Sequence, residues 1–304
     1  MRTFLTTIGL AAFASCALAG TQVIDGANIT QATWGTAPSA TQDTNTQFGD
    51  NANELNAMLL DSDTNNIYIG LTGNISDGFT AGNVLMVLID TNAGSGSTTI
   101  ATEPGGGCPS SVPRVLRYWD GATFDAGFTP DYALSICIGI FPGQSRDLVY
   151  TVDLTRLSDL NNVVAGLGAV NNGNGTLTGT SGIQVALDNS NTAGVGGWFT
   201  PGGETPILTG NDPLTSTTGW EIAIPKSQLG IGGAATVGVF AFVSNGANDD
   251  SGAFNGVCNR HAFASNQGLP GLGGVGNLAQ YNGAANVLNF AAIAGNQFAT
   301  KVLP

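Results

Sequence analysis

What most constrains this chain is that its apolar residues come in short runs, each stopped by glycine, asparagine, aspartate or proline. Runs of that length fit strands and are too short for the helices of a bundle. They fall at 56–60, 67–71, 84–90, 115–118, 132–138, 148–154, 183–187, 220–224, 237–243 and 287–293, and each is expected to be a strand. At 220–224 the order Trp-Glu-Ile-Ala-Ile puts Trp220, Ile222 and Ile224 on one face and Glu221 on the other, where solvent is expected. Residues 84–89 are apolar throughout and suit a strand buried on both sides.

Between the runs lie Asp25-Gly26, Asp77-Gly78, Asp120-Gly121, Asn245-Gly246 and Asn282-Gly283, pairs that tolerate the positive φ of tight reversals. Pro225 to Leu229, followed by Gly230, reads as a short helical turn. With no βαβ alternation, the expected fold is all-β: a two-sheet antiparallel, jelly-roll-like β-sandwich with long Gly- and Asn-rich loops. Glycine-rich stretches at 93–107 and 268–276 read as surface loops, and no fixed-period repeat occurs. Residues 20–304 are therefore read as a single sandwich domain.

The first nineteen residues read as a secretory signal peptide. Arg2 precedes the apolar run 4–13, and Ala17-Leu18-Ala19 offers a cleavage site before Gly20. A lipoprotein signal on Cys16 is the alternative, with Phe13 where such signals usually carry Leu. No later stretch is long and apolar enough for a transmembrane segment. The expected location is secreted, extracellular or at the cell surface, with the periplasm as a variant.

Only 10% of residues are charged, which excludes a charged helical bundle, while 42% hydrophobic content with 14 Phe excludes a disordered chain. A net charge of −13 repels phosphate backbones and anionic lipid, so no nucleic acid is expected as a partner. After cleavage Cys108, Cys137 and Cys258 remain, enough for one disulfide at most. Cys137 lies in an apolar run and reads as core.

Catalytic patterns are weak. Gly271 to Gly276 matches GxGxxG but follows Pro270 and has no acid after it, so it reads as a loop. His261 is the one histidine, three residues after Cys258, and nothing nearby resembles a strained nucleophile elbow. Of the four glutamates, Glu54 follows a polar stretch, Glu103 and Glu204 lie in loops, and Glu221 is on a strand. No spacing marks a carboxylate pair for glycoside hydrolysis, and the chain is not expected to be an enzyme. The sequons at Asn28, Asn74 and Asn174 matter only if the source glycosylates them.

Binding chemistry has two handles. Tyr118-Trp119 and Trp198-Phe199 lie beside turn residues, where exposed rings could stack on sugars; the ordinary fate of such rings is the core. Hard oxygen donors for a structural Ca2+ cluster at Asp61/Asp63, at Asp188/Asn189/Asn191 and at Asn248/Asp249/Asp250. None matches an EF-hand, and the same residues are ordinary turn formers. No cofactor is expected beyond that ion.

Several segments together carry a family resemblance: 46–50 (TQFGD), 53–57 (NELNA), 66–74 (NIYIGLTGN), 124–128 (FDAGF), 187–191 with Gly194-Val195, and 219–230 (GWEIAIPKSQLG). They are similar to bacterial secreted sandwich proteins of the kind that often carry a C-terminal Pro-Glu-Pro sorting signal. Segments 67–73 and 220–230 also resemble family-nine carbohydrate-binding modules and DOMON domains. The resemblance implies a sandwich fold outside the cytoplasm and a polysaccharide or envelope component as partner. The final residues, Thr300 to Pro304, carry no Pro-Glu-Pro motif. The expectation is a secreted, non-catalytic surface or extracellular module that contacts carbohydrate. The alternatives are a structural envelope or matrix protein without a small-molecule ligand and, second, an extracellular hydrolase.

Overall fold

The computed structural model describes residues 21–42, 44–45, 53–75, 83–92, 96, 122–139, 148–159, 161–170, 175–179, 181–194, 205–206, 212–245, 268–270, 289–293 and 295–304. In chain order these form α1 (Gln31–Trp34), β1 (Ala40–Thr41), β2 (Thr44–Asn45), β3 (Asn53–Ser62), β4 (Asn66–Ile75), β5 (Asn83–Asp90), β6 (Tyr132–Gly139), β7 (Leu148–Arg156) and β8 (Asn161–Val170). Then follow β9 (Gly175–Thr178), β10 (Gln184–Leu187), β11 (Thr205–Pro206), β12 (Gly219–Pro225), β13 (Ala235–Asn245), β14 (Gly268–Leu269) and β15 (Ala299–Leu303).

The strands build two antiparallel sheets. The first runs β1-β3-β4-β12-β10-β9, and the second runs β14-β13-β5-β6-β7-β8 with β15 also on β13. The expected all-β sandwich is thus the observed fold. Alternation explains why the sheets stack. Leu55, Met58 and Leu60 of β3, Ile67, Ile69 and Leu71 of β4, and Trp220, Ile222 and Ile224 of β12 face one core. Leu85, Val87 and Ile89 of β5 and Val237, Val239 and Val243 of β13 belong to the same core. Each such side chain buried contributes about 1.5–3 kcal/mol.

The outer faces are covered too. On the first sheet residues 21–35 form a strap whose Ile24, Ile29 and Trp34 pack with Ala57, Leu59, Tyr68, Ala186 and Ala223. Gly70 makes room for it, since a Cβ there would meet the Trp34 ring at 2.6 Å and Ile29 at 2.8 Å. On the second sheet Phe240 and Phe242 of β13 are capped by Phe290, with ring centroids 5.1 and 6.1 Å away. Phe124 stacks on Phe290 and meets Phe128 edge-on, and Phe128 stacks on Phe298. This second layer is why Met86 and Leu88 are as buried as Val87, as expected for a strand without alternation.

Some expectations are corrected. Residues 287–293 are not a strand: Phe290–Ala292 is a 3-10 turn in which Phe290 is buried and its two alanines are exposed. One anchor in the aromatic cluster, rather than a pleated surface, accounts for the apolar run. Glu221 does not face solvent; the strap buries it to 1% exposure. Gly268 and Leu269, expected in a loop, pair with β13. The helical turn before Gly230 is present as a 3-10 helix, Lys226–Leu229, ended by Gly230 at φ +68°. The run at 115–118 lies outside the described residues, as do Cys108, Cys258, His261 and the glycine-rich 271–276 segment.

Candidate functional site

Buried polar side chains concentrate where the segment after β10 crosses the outer face of β3 and β4. Glu54 and Asn74 sit opposite each other in the β3–β4 register, and therefore on one face. Asn191 joins them: its Nδ2 donates to Glu54 Oε1 at 3.4 Å, and its main-chain oxygen accepts from Asn74 Nδ2 at 3.3 Å. Asn56 Nδ2 donates to the same Glu54 oxygen at 3.1 Å. A β-bulge between Leu55 and Ala57 puts Asn56 into this group, and Thr72 Oγ1 accepts the Ala57 amide there. Gly194, at φ +105°, closes the group from above, because a Cβ would lie 2.3 Å from Asn56 Oδ1.

The expected calcium donors after β10 each bind a different main-chain amide. Asp188 Oδ1 accepts from Ser190 N at 3.0 Å, and Asn191 Oδ1 from Ala193 N at 3.2 Å. Asn189 works like an added strand residue: its Oδ1 accepts from Ile75 N at 2.8 Å while its Nδ2 donates to Ile75 O at 2.7 Å. These oxygens hold the loop to β4 and are not turned to a common point. No group of three His, Cys, Asp or Glu side chains able to hold a metal ion occurs among the described residues. Asp249 and Asp250 lie outside the described residues, as do all four carbohydrate candidates, Tyr118, Trp119, Trp198 and Phe199.

Other acids show the same use. Asp90 accepts the amides of Asn92 and Thr129, each at 2.7 Å, and Asp131 accepts the Thr91 amide at 2.8 Å. Together they fasten the end of β5 to the chain entering β6. Asp125 accepts the Gln297 amide and so ties the two phenylalanine-bearing segments to each other. Asp63 accepts the Asn65 and Asn66 amides and the Tyr68 hydroxyl. Burial alone would raise the Asp63 carboxyl, but these donors outweigh it and hold it below its ordinary value. Tyr68 is pushed up to about 12, by burial first and by Asp63 second. Asp61 accepts from Gln22 Nε2 at 2.7 Å and pairs with Lys301 at 3.3 Å, joining strap, β3 and β15.

Glu221 is the exception in energetics. Its Oε2 accepts the Asp25 and Gly26 amides, both at 2.8 Å, and its Oε1 accepts the Trp34 indole N–H at 3.2 Å. Burial nevertheless pushes its carboxyl up to about 7, against those donors and with help from the Asp25 charge. Sequence reading missed this group because alternation shows which face Glu221 is on, not what covers that face. Trp34, two residues after an Asn-Ile-Thr-Gln cap, was the one available sign of a covering segment: Thr30 caps α1 through its side chain.

Compared with protein-family models, with curated proteins and with solved structures, the chain matches none. Among the described residues no helix is long and apolar enough to cross a membrane.

Proposed function

We propose that this chain is a secreted, non-catalytic β-sandwich that works at a cell surface or in an extracellular matrix and contacts carbohydrate through loop aromatics. The observation that carries the non-catalytic part is the use of its acids. Asp63, Asp90, Asp125, Asp131, Asp188 and Glu221 all accept main-chain amides that pin loops to strands. Hydrolysis of a glycosidic bond instead needs two carboxylates facing a shared cleft. The leader-like residues 1–19 and the likeness to secreted sandwich proteins support export.

The carbohydrate part rests on Tyr118-Trp119 and Trp198-Phe199, the second pair following soon after Gly194, where the described loop leaves the Glu54 cluster. A structural envelope protein is the second reading. It is favoured by the covering of both outer sheet faces by the chain's own segments, which leaves neither face as a ready docking plane. Pull-down of the mature chain on insoluble polysaccharides separates the two: retention that falls in Trp119→Ala or Trp198→Ala favours the binder. Retention on none, with the protein staying in the envelope fraction, favours the structural role. Turnover in a broad glycosidase and esterase screen, lost in His261→Ala or in a paired Asp variant, would overturn both.

A further inference from the structure

The strap over the first sheet is held by contacts from distant parts of the chain. Ile29 donates its amide to Thr217 O at 2.9 Å, Gly219 N donates to Gly26 O at 3.0 Å, and Thr176 Oγ1 donates to Ile24 O at 2.9 Å. At its centre lies one buried carboxyl group, Glu221, with three N–H donors from the strap and none from its own sheet among the described bonds. Its register partners are Gly70 on β4 and Ala186 on β10, neither of which can carry charge. The charged or titratable groups packed around it are Asp25 on the strap, Asp188 just after β10, and Tyr68 on β4, whose hydroxyl is bound to Asp63.

We propose that Glu221 is a protonation-controlled latch: the strap closes on the neutral acid and loosens as that acid ionises across the neutral pH range. The geometry accommodates the neutral form. Oε2, as the carbonyl oxygen, has two lone pairs for the Asp25 and Gly26 amides, and a hydroxyl at Oε1 still accepts the indole N–H. Ionisation adds a charge under an apolar cover made by Ile24, Ile29 and Trp34, beside the like charge of Asp25. With the strap lifted, Glu221 regains water and its ordinary acidity. Docking and proton binding therefore favour each other, and an alkaline surrounding releases residues 21–35 while the sandwich core stays closed.

Hydrogen–deuterium exchange of the mature chain, corrected for intrinsic rates, measures this directly at pH 5, 6.5 and 8.5. Protection of residues 21–35 is expected to fall about tenfold or more over that range, with protection in β4 and β12 unchanged. In Glu221→Gln the same segment should vary by less than about twofold. Asp25→Asn, which removes the nearest like charge and keeps an acceptor for the Ala27 amide, should move the wild-type midpoint to lower pH. A strap whose protection is flat in the wild type, or falls as steeply in Glu221→Gln, overturns the latch. So does an unmoved midpoint in Asp25→Asn.

Discussion

The two sheets face the same problem on their outer surfaces and solve it with opposite chemistry. On the second sheet, Phe240 and Phe242 are covered by Phe124, Phe128, Phe290 and Phe298, with no carboxylate among the rings. On the first, the strap lays Ile24, Ile29 and Trp34 around the carboxyl of Glu221. An aromatic cover gains from its full buried area whatever the pH. A cover built round an ionisable group fixes its own register through directed hydrogen bonds, but its hold varies with the charge. The difference separates a part of the molecule that is simply stable from a part that can respond.

The sharpest way to break that comparison is to remove one ring from each cover. Phe290→Ala takes out the ring that touches Phe124, Phe240 and Phe242, and it is expected to lower unfolding free energy by about 4 kcal/mol. Trp34→Ala removes a comparable volume, yet the strap can lift without opening the core. Its global cost should be smaller, about 2 kcal/mol, with most of the change seen as local exchange in residues 21–35. Urea unfolding of both variants checks the ranking. Equal losses would mean that the strap unfolds only with the sandwich.

The sheets themselves were legible in sequence because side-chain alternation is local. Trp220, Ile222 and Ile224 fall on one face by their spacing alone, and they are core residues. The covers were not legible, since they depend on partners far apart in the chain: Asp25 and Gly26 meet Glu221 across nearly two hundred positions. That distance is why Glu221 reads as a surface residue until Trp34 is seen above it. β8 escaped notice because its Asn, Gly and Ala residues dilute the β-branched signal, and β15 because Lys301 and Thr300 make it look like a polar tail. Residues 287–293 misled in the other direction, since Phe290 supplies apolarity without a strand. For the binding aromatics the sequence remains the source of the argument, whereas for Asp188, Asn189 and Asn191 the structure supplies their partners.

A smaller effect sharpens the contrast through pH. The Glu221 carboxyl rises on folding from an ordinary 4.5 to about 7, so the folded state holds its proton more firmly. Its contribution is fully present below pH 4.5 and is lost as pH rises through 7, amounting to about 2 kcal/mol after allowance for solvent screening. Asp63 acts with the opposite sign: its lowered carboxyl contributes above its ordinary value and loses that contribution as pH falls through its folded value. Unfolding measured at pH 5 and pH 8 should show the wild type less stable at pH 8 relative to Glu221→Gln. Parallel pH profiles for the two proteins would remove the basis for a responsive strap.

The smallest expected effect concerns the loop after β10, the place where sequence alone suggested a cation. Asn189 makes two hydrogen bonds to Ile75, and Asn189→Ala should cost about 1 kcal/mol by leaving that strand end without its side-chain partner. If the loop is held by these bonds, millimolar Ca2+ or excess EDTA should move the melting temperature of wild type and variant alike by less than about 2 °C. An ion at Asp188, Asn189 and Asn191 would act differently. It would raise the wild-type melting temperature in proportion to the logarithm of its concentration, and Asn189→Ala would abolish the rise. Such a dependence would make this loop, rather than the strap, the part of the first sheet that answers to the surroundings.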